Sequence, residues 1–160
     1  MLNPIPIYVF LLQSIPESFL WIKVGLALFN IDIPGKRALP LAIIIAFSSY
    51  ILRIFVSIFG IHTFLMTILL VILLYKIEHI PLAYAFISML TGALIIGVLE
   101  GAVLGLAHLI LEKSIEDLVL NPWLNILFFI PPASILLGIF YILKRKNLYL
   151  LDLGGSENYE

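Results

Sequence analysis

Five apolar runs, near residues 5–29, 39–57, 61–75, 81–111 and 122–143, decide what this chain can fold into. Backbone N–H and C=O groups in hydrocarbon must be satisfied inside the protein. A run of about 17 to 25 apolar residues does so as a helix that crosses roughly 30 Å of hydrocarbon. The expected fold is therefore all-α, a polytopic integral membrane bundle of five transmembrane helices. Composition agrees: 62% of the 160 residues are hydrophobic and 12% charged, against roughly 45 to 50% apolar in soluble domains. The third run is short and the fourth too long for an upright crossing, so the fourth should tilt, break or end in an interfacial turn.

Nearly all the length goes into these spans, which leaves no room for a soluble catalytic or sensory domain. Residues 1–146 are expected to form a single bundle and 147–160 a short tail. That tail, "NLYLLDLGGSENYE", carries Gly-Gly-Ser near its end and reads as a flexible terminus, free to dock a partner or to fray. Turn residues punctuate the runs: "NIDIPGKR" after span one, "FGIH" between spans two and three, "KIEHIP" before span four and "NP" opening span five.

Lys36 and Arg37 fall in loop one, Lys76 in loop three, and Lys144, Arg145 and Lys146 just after the last span. By the positive-inside rule the N terminus is outside and the C terminus cytoplasmic, in a multi-pass protein of the cell membrane. No Lys or Arg precedes the first run and no small-residue cleavage site follows it, so a removable signal peptide is not expected.

Several function classes lack their residues. A net charge of −1 with no basic patch argues against nucleic acid. The absence of cysteine removes thiolate metal sites and cysteine nucleophiles. No His-Glu-x-x-His, Gly-x-Ser-x-Gly, Walker loop or dinucleotide-binding glycine motif occurs. Neither enzymatic activity nor a cofactor is expected.

The informative residues are the polar ones at membrane depth. "QSIPES", Gln13 to Ser18, interrupts span one with Pro16, which removes a backbone donor and crowds the Leu12 carbonyl. Span one should kink there, with Gln13, Ser14, Glu17 and Ser18 satisfying the freed backbone. "FFIPPAS" sets Pro131 and Pro132 inside span five and gives a second kink. Glu17, Arg53, His62, Glu100 and His108 all fall at mid-depth or toward the outer half. Each costs at least about 2.5 kcal/mol to insert, so it is expected to face protein or water and to pair. One reading is a structural lock, with Glu17 or Glu100 paired to Arg53 and each His at an interface. The other is a water-accessible outer cavity in which Gln13, Glu17, Arg53, His62, Glu100 and His108 bind a ligand. His62, His108 and Glu100 lack ligand spacing on any one helix, so no metal site is expected.

Lys23, near the inner end of span one, should snorkel to the cytoplasmic interface. Tyr8, Trp21, Tyr75, Tyr84, Trp123 and Tyr141 are available as interfacial anchors. In span four Gly97, Gly101 and Gly105 recur every fourth residue and leave one face nearly bare for close helix packing, within the chain or between chains of a homo-oligomer.

"SIPES" in span one, "YILRI" in span two, "FGIHT" at the turn into span three, a lone Glu in span four and "NPW" before span five form a pattern. Over roughly residues 4 to 143 it resembles the N-terminal multispan membrane region of Firmicutes sensor histidine kinases and small stand-alone relatives of that region. The resemblance implies a sensing or regulatory module, with Glu17, Arg53, His62 and Glu100 as the matching polar positions. The chain has no phosphoacceptor segment and no ATP-binding region, so signalling would run through a cytoplasmic or membrane partner. The alternatives are a small transporter or channel subunit acting as an oligomer, and a structural or assembly membrane protein.

Overall fold

Helices that are apolar all round have no preferred buried face of their own, so their arrangement is decided by where small residues, prolines and polar groups let them meet. In the computed structural model, residues 6–55, 61–112 and 121–154 are described, apart from the side chains of 53–55. The turn at 56–60, the acidic fourth loop at 113–120 and the chain end at 155–160 lie outside the described residues.

Five helices are long and apolar enough to cross a membrane: α1 Ile7–Ala27, α2 Gly35–Phe55, α3 Ile61–Glu78, α4 Leu82–Leu111 and α5 Pro122–Lys146. The chain is all-α, with no strand among the described residues. Helix α1 is the centre of the bundle and touches α2, α4 and α5, while α3 bridges α2 and α4, and α5 lies against α1 and α4. Half of α1 is buried, against 11% of the apolar window of α4. Ile22, Val24 and Leu26 of α1 are at most 1% exposed, so its second half is enclosed on every side. The large apolar side chains left outside, such as Leu94, Val98, Leu109 and Ile110 of α4, suit lipid rather than water.

Span one is broken where Pro16 required it. Phe10–Ser14 form a π turn in which the Ile15 N–H reaches the Phe10 carbonyl, and regular α-helix resumes from Ile15. Widening the turn is how a helix absorbs a proline that cannot donate. Helix α5 runs through Pro131 and Pro132. Their missing N–H groups deprive the Leu127 and Phe128 carbonyls of helical partners, and Ser134 donates to the Ile130 carbonyl at 2.8 Å within the same turn. Pro40 lies inside α2 as well. Helix α4 stays unbroken over 30 residues, about 45 Å at 1.5 Å per residue, so of the options for this over-long span an internal break is not the one taken.

Positive φ at Asn30, His79, Glu112 and Asn147 turns the chain sharply after α1, α3, α4 and α5. Asparagine tolerates this left-handed cap better than most residues. At the start of α5, Asn121 accepts from the Trp123 N–H with Pro122 in the first helical position, as the "NP" signal predicts.

The tail departs from the flexible terminus expected of it. After Asn147 the chain folds back across the end of the bundle, where Leu150 N–H donates to Leu28 C=O at 2.7 Å and Leu153 N–H to Phe29 C=O at 3.0 Å. The carbonyls at the end of a helix have no partner within it, and the tail supplies one. Leu153 is buried among the core residues.

Candidate functional site

The close crossing in this bundle is between α1 and α4, and it is made at Gly25 and Gly92 rather than at Gly97, Gly101 or Gly105. A Cβ at Gly25 would lie 2.8 Å from the Ser88 carbonyl oxygen, and one at Gly92 would lie 2.8 Å from Trp21 Cδ1. Trp21 Nε1 donates to the Met89 carbonyl at 2.8 Å. Gly97, Gly101 and Gly105 have nothing within 4 Å of a Cβ among the described residues, so no described helix approaches them as closely. Ser88 and Gly92, four apart, are the small pair that serves, and they were legible as such in "SMLTG".

That crossing sets the register of the polar residues. Gly25 meets Ser88 and Trp21 meets Gly92, one turn further along antiparallel helices. Continued at the same rate, Glu17 comes level with Ile96 and Gln13 level with Glu100. Gln13, Glu17 and Glu100 are all half-buried. His62, half-buried at the start of α3, shares a 2.8 Å hydrogen bond between its Nε2 and Ser49 Oγ of α2. His108 is exposed, on a turn of α4 whose neighbours Leu109 and Ile110 are also exposed. Arg53 sits within the last turn of α2, which ends at Phe55, and its side chain is outside the described residues. All these positions are in the half of the bundle near the α2–α3 turn. Above them Tyr8 stacks on Trp123 at 5.1 Å, and Phe10 meets Phe47 and Tyr50 edge-on, tying the start of α1 to α5 and α2.

A second polar group occupies the opposite end, where the sequence places Lys23 and the loop and stop-transfer cations. The Lys23 side chain is 11% exposed. Its ammonium donates to Asp32 at 3.0 Å and to the Ile33 carbonyl at 2.6 Å, and lies 5.4 Å from the centre of the Phe140 ring. Lys144 of α5 closes on the other Asp32 oxygen. Asn30 donates to Asp152 of the tail at 2.9 Å, and Arg37 pairs with the nearly buried Glu78 at 3.4 Å. Burial pushes the Asp32 carboxyl up, but hydrogen bonds and charge from Lys144 and Lys23 outweigh it and hold Asp32 below its ordinary value. One carboxylate thus joins α1, the first loop and α5. A small polar cavity of about 70 Å³ lies beside it, lined by Asn30, Asp32, Lys144, Asn147 and Tyr149 among others.

The sequence did contain a signal for this group. A lysine inside a span needs an acceptor, and Asp32 is the acid nearest to Lys23 beyond the end of that span. The Lys144 contact required knowing that the end of α5 lies beside the first loop, and the Asn30 contact with Asp152 that the tail returns.

No group of three or more metal-ligating side chains occurs among the described residues. The chain is a multi-pass membrane protein in which a broken central helix is pinned at one end by aromatic contacts and at the other by an ionic cluster and a docked tail. Compared with protein-family models, with curated proteins and with solved structures, it matches none.

Proposed function

We propose that this protein is a small sensor or regulatory module of the cell membrane that signals through a partner, with its N terminus outside and its C terminus in the cytoplasm. The observation that carries this reading is the tail returning onto the first loop, through Leu150 to Leu28 and Leu153 to Phe29. An input felt in the Gln13, Glu17, Arg53, His62 and Glu100 region acts on α1 at its π turn. A rigid, enclosed lower half of α1 carries that movement to Asp32 and the tail. The tail changes between docked and released, and a partner reads the difference. The resemblance of the polar pattern to the membrane region of Firmicutes sensor histidine kinases supports the same role.

The test is complementation. Deleting the gene should change a defined set of transcripts, and the full chain should restore them, whereas a chain ending at Lys146 should reach the membrane at the same level and fail to restore them. Full restoration by the shortened chain would overturn the reading.

A transporter or channel subunit is the second reading, favoured by the open Gly97, Gly101 and Gly105 face beside half-buried Glu100. Proton or ion flux through proteoliposomes of the purified chain would establish it in place of the first.

A further inference from the structure

Between α1 and α2, on the outside of the bundle, lies an open groove of about 470 Å³. That volume is within the range of small-ligand clefts, roughly 300 to 1,000 Å³. Its walls are Ile15, Pro16 and Phe19 of α1 and Leu39 of α2, and its end is formed by Gly35 and Lys36. Four of these six residues are purely apolar, and they belong to segments long and apolar enough to sit in hydrocarbon. Nearly all of the lining surface is apolar, so Lys36, at the first turn of α2, lines the groove through its hydrocarbon stem. Among the described residues no ion pair involves Lys36, unlike its neighbour Arg37, which pairs with Glu78.

An apolar groove between two membrane-length helices, with a lysine and the start of α2 at its edge, matches one occupant. The geometry points to a bound anionic phospholipid, one acyl chain along Ile15, Phe19 and Leu39 and the phosphate at Lys36. Charge complementarity selects the headgroup, because a basic residue near the interface attracts anionic lipid and a helix start favours a negative group. Location selects lipid over a soluble ligand, since the groove opens sideways from the spans. Occupancy would brace α1 at its weakest point, next to Pro16. This assignment does not depend on the signalling role.

The test is native mass spectrometry of the full chain, released from detergent with equal amounts of phosphatidylglycerol and phosphatidylcholine. One phosphatidylglycerol should be retained with a preference of about fivefold, the scale of one basic side chain at an anionic surface. Lys36→Gln should bring the two lipids to parity. Gly35→Leu should do so too by filling the groove, because a Cβ there is in ordinary contact with Phe19 at 3.9 Å and needs no rearrangement. Lys146→Gln, in the basic cluster after α5, should leave the preference intact. Equal retention of both lipids by the native chain would overturn the site. So would a preference that survives Lys36→Gln, or one that is lost with Lys146→Gln. Loss with Lys36→Gln but not with Gly35→Leu would overturn the groove by reducing the effect to headgroup attraction alone.

Discussion

Leu150 and Leu28, at opposite ends of the chain, are joined backbone to backbone, with the Leu150 N–H 2.7 Å from the Leu28 carbonyl oxygen. The bond uses no side chain, so it depends on the path of the tail, and that path depends on the turn at Asn147 and on the room left at Gly154.

At Gly154 the tail passes tightly against the first loop, since a Cβ there would overlap the Asn30 carbonyl. Gly154→Ala should therefore lift the end of the tail. Overpacking costs about 1 to 3 kcal/mol, enough to raise the open population, and with it the rate of proteolysis within 148–154, by about fivefold or more. Limited proteolysis in detergent checks this, with the transmembrane core expected to stay intact.

Asp32 gives the docked tail a pH dependence of definite sign. Its folded carboxyl titrates below the ordinary 3.8, so the charged form stabilises the fold above that value, and the contribution is lost as pH falls through the lower, folded value. Tail protection should be flat from pH 8 to about 5 and should weaken only in the acid range below the ordinary carboxylate value. Asp32→Asn should weaken protection at neutral pH and flatten the acid loss. Hydrogen exchange of the Leu150 and Leu153 amides reads both effects.

The α1–α4 crossing predicts a contrast between glycines in one helix. Gly92→Ala should destabilise the bundle by about 1 to 3 kcal/mol, because its Cβ would press on Trp21 and on the Gly25 backbone. Gly97→Ala, Gly101→Ala and Gly105→Ala have open space at each position and should leave the thermal midpoint of the monomer unchanged. Thermal unfolding in detergent, followed by near-ultraviolet circular dichroism, separates the two groups. A shift in oligomeric state on changing the second group would reveal a contact between chains.

Trp21→Phe keeps most of the buried volume and removes the donor to Met89. The loss should be about 1 to 3 kcal/mol, the scale for disrupting a buried hydrogen bond. Tryptophan emission should change at the same time, since Trp123 alone remains and is exposed.

The five crossings, the break before Pro16, the start of α5 at Asn121-Pro122 and the polar residues in the half near the α2–α3 turn were all legible in the sequence. They follow from local rules: span length, a missing N–H, a capping side chain and the cost of charge in hydrocarbon. The span ends were less legible, with α2 beginning at Gly35 rather than near 39 and α3 continuing to Glu78. At an interface the helix continues as long as its backbone bonds do, even after the side chains turn polar.

What the tertiary structure decided is which helices touch and by which residues. Two glycine-bearing stretches of α4 look alike in sequence, yet Ser88 and Gly92 meet α1 while Gly97, Gly101 and Gly105 face outward. In a uniformly apolar helix the choice depends on the shape of its neighbour, here the Trp21 and Gly25 surface. The returning tail was equally hidden, because it is fixed by carbonyls left unpaired at the end of another helix and by the Asn30 bond to Asp152. Long-range pairing of that kind has no local signature, and it exists only once the ends of α1 and α5 lie side by side.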